Sequence, residues 1–127
     1  MRLLLDSHIL LWWADGNVDQ LGKRGCDLIR AQQNDLIVSA GTWWELSIKK
    51  AKRSLNVDFA VLESALAVRR VTRLDISFAH AQAAANLPPI HGDPFDRMLI
   101  AQAQLEGVQL LTHDKQLKLY GATVLCV

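Results

Sequence analysis

The run Met1-Arg2-Leu3-Leu4-Leu5 constrains the fold of this chain more than any other segment. It is too apolar for a strand that faces solvent, and a short all-apolar run is typical of a strand covered on both faces. Asp6 follows directly, although a buried carboxylate is costly unless something pairs with it. The chain therefore needs a layer on each side of this strand and a partner for the acid at its tip.

Strand-like and helix-like segments alternate along the rest of the chain, and this order predicts a parallel sheet with helices on both faces. Further strands are predicted at residues 36–38, 71–76 (a candidate middle strand), 109–112 and 122–127. Helices are predicted at residues 7–14, 23–32, 41–53, 58–69 and 94–106, with an alanine-rich helix that Ser77 caps and Pro88 ends. The predicted fold is a three-layer α/β/α sandwich with a short, mainly parallel sheet, formed by one domain over residues 1–127.

Composition narrows the class of protein. Hydrophobic residues make up 50% of the 127 residues, yet no uncharged stretch approaches the ~18 residues of a membrane helix. We therefore expect a cytoplasmic protein without membrane contact. Cys26 and Cys126 lie far apart in sequence, which favours free thiols. The net charge of +1 excludes a globally basic nucleic-acid binder, so any nucleic-acid contact depends on a local patch.

Four acids fall where buried strands hand over to helices, and ligands of parallel sheets bind beyond the carboxyl ends of the strands. Such a cluster can hold Mg²⁺ or Mn²⁺, which prefer oxygen ligands. The chemistry that suits this ligand set is hydrolysis of a phosphodiester, in which water attacks and the 3′ oxygen leaves. The predicted metal ligands and catalytic residues are Asp6, Glu45, Asp96 and Asp114.

Each acid also has a local explanation. Glu45 stands four residues before Lys49, a favourable spacing for a surface ion pair. Asp6 and Asp114 can cap the segments that follow them, and Asp96 suits the positive end of a helix dipole. Asp114 is the least secure of the four and can be mainly a cap. Asp75, near the end of a candidate strand, competes for a place in the cluster, and Asp93 can cap its helix and also support the site.

The order of these segments resembles the PIN-domain proteins, and specifically the VapC-type ribonuclease toxins of bacterial toxin–antitoxin pairs. The most specific match is residues 91–103, which carry Asp96. The segments 3–13, 39–46 and 111–114 match in the same order. The resemblance implies cleavage of RNA with Mg²⁺ or Mn²⁺, a homodimer, and a small antitoxin that blocks the site. It also implies that the hydroxyls of Ser7 and Thr112 support the acids.

Basic and aromatic residues are candidates for contact with RNA and with a partner. Arg97 and a basic run at the end of the Glu45 helix are predicted to contact phosphate, although the run can also be a solvated helix end. The four tryptophans form two adjacent pairs, so one of each pair is expected to be partly exposed and to stack a base or bind the antitoxin. The basic run is Lys49, Lys50, Lys52 and Arg53, and the tryptophans are Trp12, Trp13, Trp43 and Trp44.

Two other functions compete with metal-dependent RNA cleavage. The first is a phosphoacceptor or phosphatase domain with Asp6 as its nucleophile. Such domains require a second acid close to the first, whereas Ser7 and His8 follow Asp6 in this chain. The second is a non-catalytic PIN-like binding module whose acids are structural. A zinc site made from His8, His91 and His113 is disfavoured because their spacing matches no zinc signature.

Overall fold

A five-stranded parallel sheet forms the centre of the molecule, in the strand order β3-β2-β1-β4-β5. The computed structural model describes all 127 residues, 1–127. The strands are β1 (Arg2–Leu5), β2 (Asp35–Ser39), β3 (Thr72–Leu74), β4 (Gln109–Thr112) and β5 (Val124–Cys126). The helices are α1 (Ser7–Ala14), α2 (Val18–Arg30), α3 (Ala40–Ala51), α4 (Phe59–Arg69), α5 (Phe78–Ala85) and α6 (Pro94–Glu106), followed by a 3₁₀ helix at Lys115–Tyr120.

Strand β1 occupies the middle of the sheet, as its apolar sequence predicts. Leu3, Leu4 and Leu5 are fully buried. Because side chains alternate along a strand, Leu3 and Leu5 enter one core cluster and Leu4 enters the other. The first cluster includes residues of α1 to α4, and the second is built on α6 and β4. This arrangement confirms the predicted three-layer sandwich with a parallel sheet.

Strands are added on one side of β1 first and on its other side afterwards. From β1 the chain moves outward to β2 and β3, and it then crosses to the other side for β4 and β5. Strands β2 and β4 therefore flank β1, with Leu4 opposite Ile37 on one side and Leu110 on the other. Such a switch point opens a crevice at the carboxyl ends of the strands, and Asp6 lies there.

The helix boundaries follow their capping residues. Helix α6 begins at Pro94, with the Asp93 carboxylate accepting hydrogen bonds from two backbone N–H groups, and ends at Gly107, whose φ of 65° suits glycine. Asp58 and Ser77 cap α4 and α5 as predicted. Helix α1 also has its predicted bounds, with Asp6 as its N-cap.

Two predicted elements were placed incorrectly. The helix expected at residues 23–32 begins earlier, at Val18, because Asn17 caps it there. The helix is kinked at Gly22 but continues beyond it. The candidate middle strand is the short edge strand β3, with exposed Thr72 and Arg73. No helix of the structure combines the length and the apolar character needed to cross a membrane.

Candidate active site

The four predicted acids converge on one cleft of about 410 Å³ at the carboxyl edge of the sheet. Each comes from a different part of the chain, so the fold rather than local sequence brings them together. Asp6 follows β1, Glu45 lies in α3, Asp96 lies in the first turn of α6, and Asp114 follows β4. Ser7, Lys49 and Asp93 line the same cleft, together with His8, Trp12, Gln20 and His113.

Asp6 is the most constrained acid of the cluster. One carboxylate oxygen accepts a hydrogen bond from the backbone N–H of Ile9 at 2.9 Å, and the other accepts from the hydroxyl of Thr112. Burial raises the pKa of Asp6, while these two hydrogen bonds and His8 oppose the rise. The carboxylate is therefore held in one orientation at a place where its charge is costly.

Thr112 joins two of the acids. Its hydroxyl donates to Asp6 and accepts a hydrogen bond from the backbone N–H of Asp114 at 3.1 Å. The side chain is fully buried. Thr112 therefore takes the supporting position expected of it, whereas Ser7 is buried beside the cleft and makes no comparable bridge.

Glu45 is buried on α3, and Lys49 holds one side of its carboxylate. The Lys49 ammonium lies 3.1 Å from the Glu45 carboxylate, one helical turn away. The structure contains the predicted ion pair, and both partners also line the cleft. Glu45 can therefore form an ion pair with Lys49 and belong to the acidic cluster at the same time.

Burial is the largest cause that raises the pKa of Asp96 to about 7; the charges of Asp93, Asp6 and Glu45 contribute to the rise, and His91 opposes it. Asp93 approaches because it caps α6, where its carboxylate accepts from the backbone N–H of Phe95 at 2.8 Å and from that of Asp96 at 3.2 Å. A raised pKa at both Asp6 and Asp96 means that a nearby positive charge would stabilise their ionised forms, as expected of a cation site.

Asp114 combines two roles. One of its oxygens accepts a hydrogen bond from the backbone N–H of Gln116 at 2.9 Å and so caps the 3₁₀ helix. Its other oxygen lies 3.4 Å from Nε2 of His91 and faces the cluster. Asp114 is therefore a cap and a member of the cleft, whereas Asp75 lies in a different concavity beside β3.

His91 contacts two of the acids and was not predicted to. Its Nε2 lies 3.6 Å from Asp96 and 3.4 Å from Asp114, and these three residues could hold a metal ion together. However, Nδ1 of His91 accepts a hydrogen bond from the backbone N–H of Asp93 at 3.1 Å. Nε2 then carries the proton, so His91 offers a donor to the carboxylates rather than a lone pair to a metal. The spacing of His91 from Asp93 and Asp96 was the only available sequence signal.

Arg97, a predicted phosphate contact, does not line the cleft, and its guanidinium is engaged within the protein instead. Both terminal nitrogens of its guanidinium donate hydrogen bonds within the protein, at 2.9 to 3.4 Å. These bonds fasten the connection between α5 and α6, including the segment that carries His91. The acceptors are the carbonyl oxygens of Ala84, Ala85, Leu87, Pro88 and His91, and the hydroxyl of Tyr120.

The basic run is only partly at the site. Lys49 lines the cleft, whereas Lys50 lies over the ring of Phe59, 5.2 Å from its centroid. Lys52 and Arg53 are exposed at the end of α3 and do not line the cleft. Of this run, the structure therefore brings only Lys49 to the acids.

The tryptophan pairs divide between the cleft and other surfaces. Trp12 lines the acidic cleft, and Trp13 packs against the core cluster beneath α1. Trp43 packs against Phe59, with ring centroids 5.0 Å apart. Trp44 is 62% exposed and borders an apolar concavity of about 400 Å³ on the other side of α3. One member of the second pair is thus clearly exposed, as the helical spacing predicts.

We predict that replacing Arg97 with lysine lowers the free energy of unfolding by at least about 2 kcal/mol, because one ammonium cannot replace a guanidinium that spans five carbonyls. Urea denaturation measures this loss. Arg24→Lys is the matched control, since Arg24 is exposed and we expect a change within about 0.5 kcal/mol. Wild-type stability in Arg97→Lys, combined with weaker RNA binding, would restore the phosphate role.

We predict that Asp96 makes the metal-free protein less stable as the pH rises. Its folded pKa of about 7 exceeds the ordinary value of 3.8, so the folded state holds the proton more tightly than the unfolded state does. Stability is therefore lost between about pH 4 and pH 7, on the order of 2–4 kcal/mol. Urea denaturation in EDTA should show that the free energy of unfolding of Asp96→Asn rises relative to that of the wild type as the pH increases across this range. A difference between the two proteins that does not change with pH would contradict the shift.

Known proteins resemble this chain over most of its length. The PIN domain family matches residues 3–122 of the chain. The chain is 31% identical over 119 residues to the Mycobacterium tuberculosis protein named Ribonuclease VapC22, covering 91% of this chain and 89% of that protein.

Solved structures share the fold. A toxin–antitoxin complex from Klebsiella pneumoniae matches with a TM-score of 0.66 and 21% identity, covering 97% of this chain and 95% of that one. VapBC2 from Rickettsia felis, bound to a DNA fragment from its promoter, matches with a TM-score of 0.69 and 18% identity, covering 100% and 98% of the two chains. With the family match over nearly its whole length and a VapC relative above 30% identity, the chain belongs to the PIN-domain family and is of the VapC type.

Proposed function

We propose that the protein is a Mg²⁺- or Mn²⁺-dependent endoribonuclease that acts in the cytoplasm as the toxin of a bacterial toxin–antitoxin pair. The observation that carries the proposal is the convergence of Asp6, Glu45, Asp96 and Asp114 in one cleft. The ribonuclease name of the Mycobacterium tuberculosis relative supports the choice of RNA as substrate.

The donor chemistry of the cleft suits a hard divalent cation. The four side chains offer only carboxylate oxygens, the ligands that Mg²⁺ and Mn²⁺ prefer. Burial raises the pKa of both Asp6 and Asp96, so these groups gain most from a bound positive charge. When bound, the ion makes a coordinated water easier to deprotonate and stabilises charge on the phosphate.

The protein's own residues prepare the cleft for this chemistry. The backbone N–H of Ile9 and the hydroxyl of Thr112 fix the orientation of Asp6. Lys49, the cation that lines the cleft beside Glu45, is placed to contact a non-bridging phosphate oxygen. Water then attacks phosphorus, the bond to the 3′ oxygen breaks, and the products carry a 5′ phosphate and a 3′ hydroxyl.

The residues that follow Asp6 disfavour it as a nucleophile. The position two residues later, where a phosphatase of the Asp-x-Asp type needs its second acid, is His8. A non-catalytic module is separated from the enzyme by measuring cleavage directly.

We predict that Asp6→Asn weakens Mn²⁺ binding by at least about tenfold, because it removes a ligand charge while keeping an oxygen for the Ile9 cap. Isothermal titration calorimetry measures the affinity, and thermal unfolding with and without Mn²⁺ gives a second readout. Asp75→Asn is the matched control, because Asp75 lies outside the cleft.

RNA cleavage is tested with the same set of proteins. Induced expression of the wild type, Asp96→Asn and Asp75→Asn in bacteria, with sequencing of RNA 5′ ends, should show growth arrest and discrete cuts for the first and third only. The enzyme proposal fails if Asp96→Asn and the wild type grow equally or share the same 5′ ends. The metal proposal fails if the wild type binds no Mn²⁺.

We infer that the antitoxin contacts the exposed apolar surface around Trp44. The concavity beside Trp44 is also lined by Trp43, Leu66 and Leu74, which suits apolar side chains of a partner segment. The toxin–antitoxin assemblies among the structural neighbours support a partner of this kind. We also propose a homodimer, for which the exposed Val61 and Val68 of α4 offer apolar surface.

We predict that Trp44→Glu escapes the antitoxin. Placing a charge in an apolar contact costs binding energy, so co-expression of the antitoxin should rescue growth with the wild-type toxin but not with this variant. Cleavage in vitro without antitoxin serves as the control and should be unchanged. Full rescue of Trp44→Glu would move the docking surface elsewhere on the chain.

A further inference from the structure

Three aromatic rings form one side of the acidic cleft. His8 and Trp12 lie one turn apart on α1, with ring centroids 5.7 Å apart. His113, which follows β4, meets Trp12 edge to face at 5.3 Å. All three line the same cleft as the four acids. Their spacings are within the range of aromatic association, so the rings form one continuous wall.

The wall is held in place before any ligand arrives. Nδ1 of His113 lies 2.6 Å from the backbone oxygen of Val127, and because that oxygen can only accept, Nδ1 carries the proton. Trp12 is half-buried and packs against the core cluster, which restricts its rotamers. His8 and His113 are exposed, so parts of the wall face solvent, while Trp12 and His113 are already oriented by the contacts above.

The wall and the floor of the cleft offer different chemistry. The floor is made of carboxylates, and its single Lys or Arg, Lys49, is paired with Glu45. Aromatic rings instead offer stacking, which is worth about 1–3 kcal/mol per base in proteins that bind single strands. In an A-form helix the bases are already stacked and their faces are covered. A wall of this kind therefore suits an unpaired base next to a phosphate that lies over the acids.

We propose that His8, Trp12 and His113 form a nucleobase-binding wall that stacks an unpaired base beside the scissile phosphate. The inference rests on the proposed ribonuclease function and adds which residues hold a base of the substrate. The wall is distinct from the apolar concavity beside Trp44, which does not share the acidic cleft.

The test removes the stacked base, by using abasic RNAs, and the Trp12 ring, by substitution, in separate experiments. The probe is a short single-stranded RNA carrying the cleavage site mapped by 5′-end sequencing, with a phosphorothioate at the scissile bond and Ca²⁺ in place of Mn²⁺. Fluorescence anisotropy gives its affinity, and a set of otherwise identical RNAs carries one abasic nucleotide at each position flanking that bond. We expect one abasic position to weaken binding by the wild type about 5- to 150-fold.

The ring is tested in the same assay. Trp12→Ala should weaken binding of the intact RNA by a similar factor and leave binding of the critical abasic RNA unchanged, and Trp12→Phe should recover part of the loss. Phe78→Ala is the control, because Phe78 is exposed on α5 and does not line the cleft. The abasic series needs no variant, so the test stands even if Trp12→Ala folds poorly.

Three outcomes would overturn the wall. The first is a set of abasic RNAs that all bind within twofold of the intact one. The second is an equal loss for Trp12→Ala on intact and abasic RNA, which would mean that the ring supports the fold. The third is unchanged RNA binding by Trp12→Ala together with lost rescue by the antitoxin, which would make the wall a protein contact. If the wild type cuts RNA, these results reject only the wall, whereas failure to bind or cut any RNA rejects the ribonuclease function as well.

Discussion

The hydrogen bond from Thr112 to Asp6 ties the site to the sheet, and the rest of the cleft is arranged around it. The two residues end neighbouring parallel strands, with Leu5 opposite Leu111 and the backbone N–H of Asp6 donating to the carbonyl of Leu111 at 3.1 Å. A register shift of one residue would turn either side chain to the opposite face of the sheet. The pairing of two buried apolar strands therefore sets the position of the first acid, and through the Asp114 N–H also that of the fourth.

The cluster is electrostatically unfavourable by itself, and the fold offsets this only in part. The N–H group of Ile9 and the Thr112 hydroxyl stabilise the charge on Asp6, yet burial still raises its pKa. Asp96 has no such pair of donors, and its neighbour Asp93 adds repulsion. The core clusters above and below the sheet supply the stability that the cleft does not. A bound cation would remove the mismatch, which is why the same carboxylates that weaken the free protein suit a metal site.

The sequence predicts those parts of the molecule whose signals are local. The bounds of α1 and α6 follow from Asp6, Asp93 and Gly107, because caps act on the turn beside them. Asp6, Asp96 and Asp114 were predictable because each follows a buried strand or opens a helix, and Glu45 because it lies in the helix that follows the second strand. Arg97 and His91 were not, because the direction of each depends on the loop between α5 and α6, which packs through contacts distant in sequence. The edge position of β3 likewise depends on strand order, which local sequence does not encode.

The local and the functional explanations of the acids turn out to be compatible, and their geometry explains why. A carboxylate has two oxygens, and a helix cap needs only one of them. Asp114 uses one oxygen for the N–H of Gln116 and turns the other toward His91 and the cluster. Asp6 caps α1 with one oxygen and receives Thr112 on the other. Capping therefore orients the acids instead of competing with the site, since the helix that follows each strand fixes the rotamer of the acid between them. In this fold, the residue that connects a strand to the next helix both caps that helix and orients a carboxylate oxygen toward the cleft.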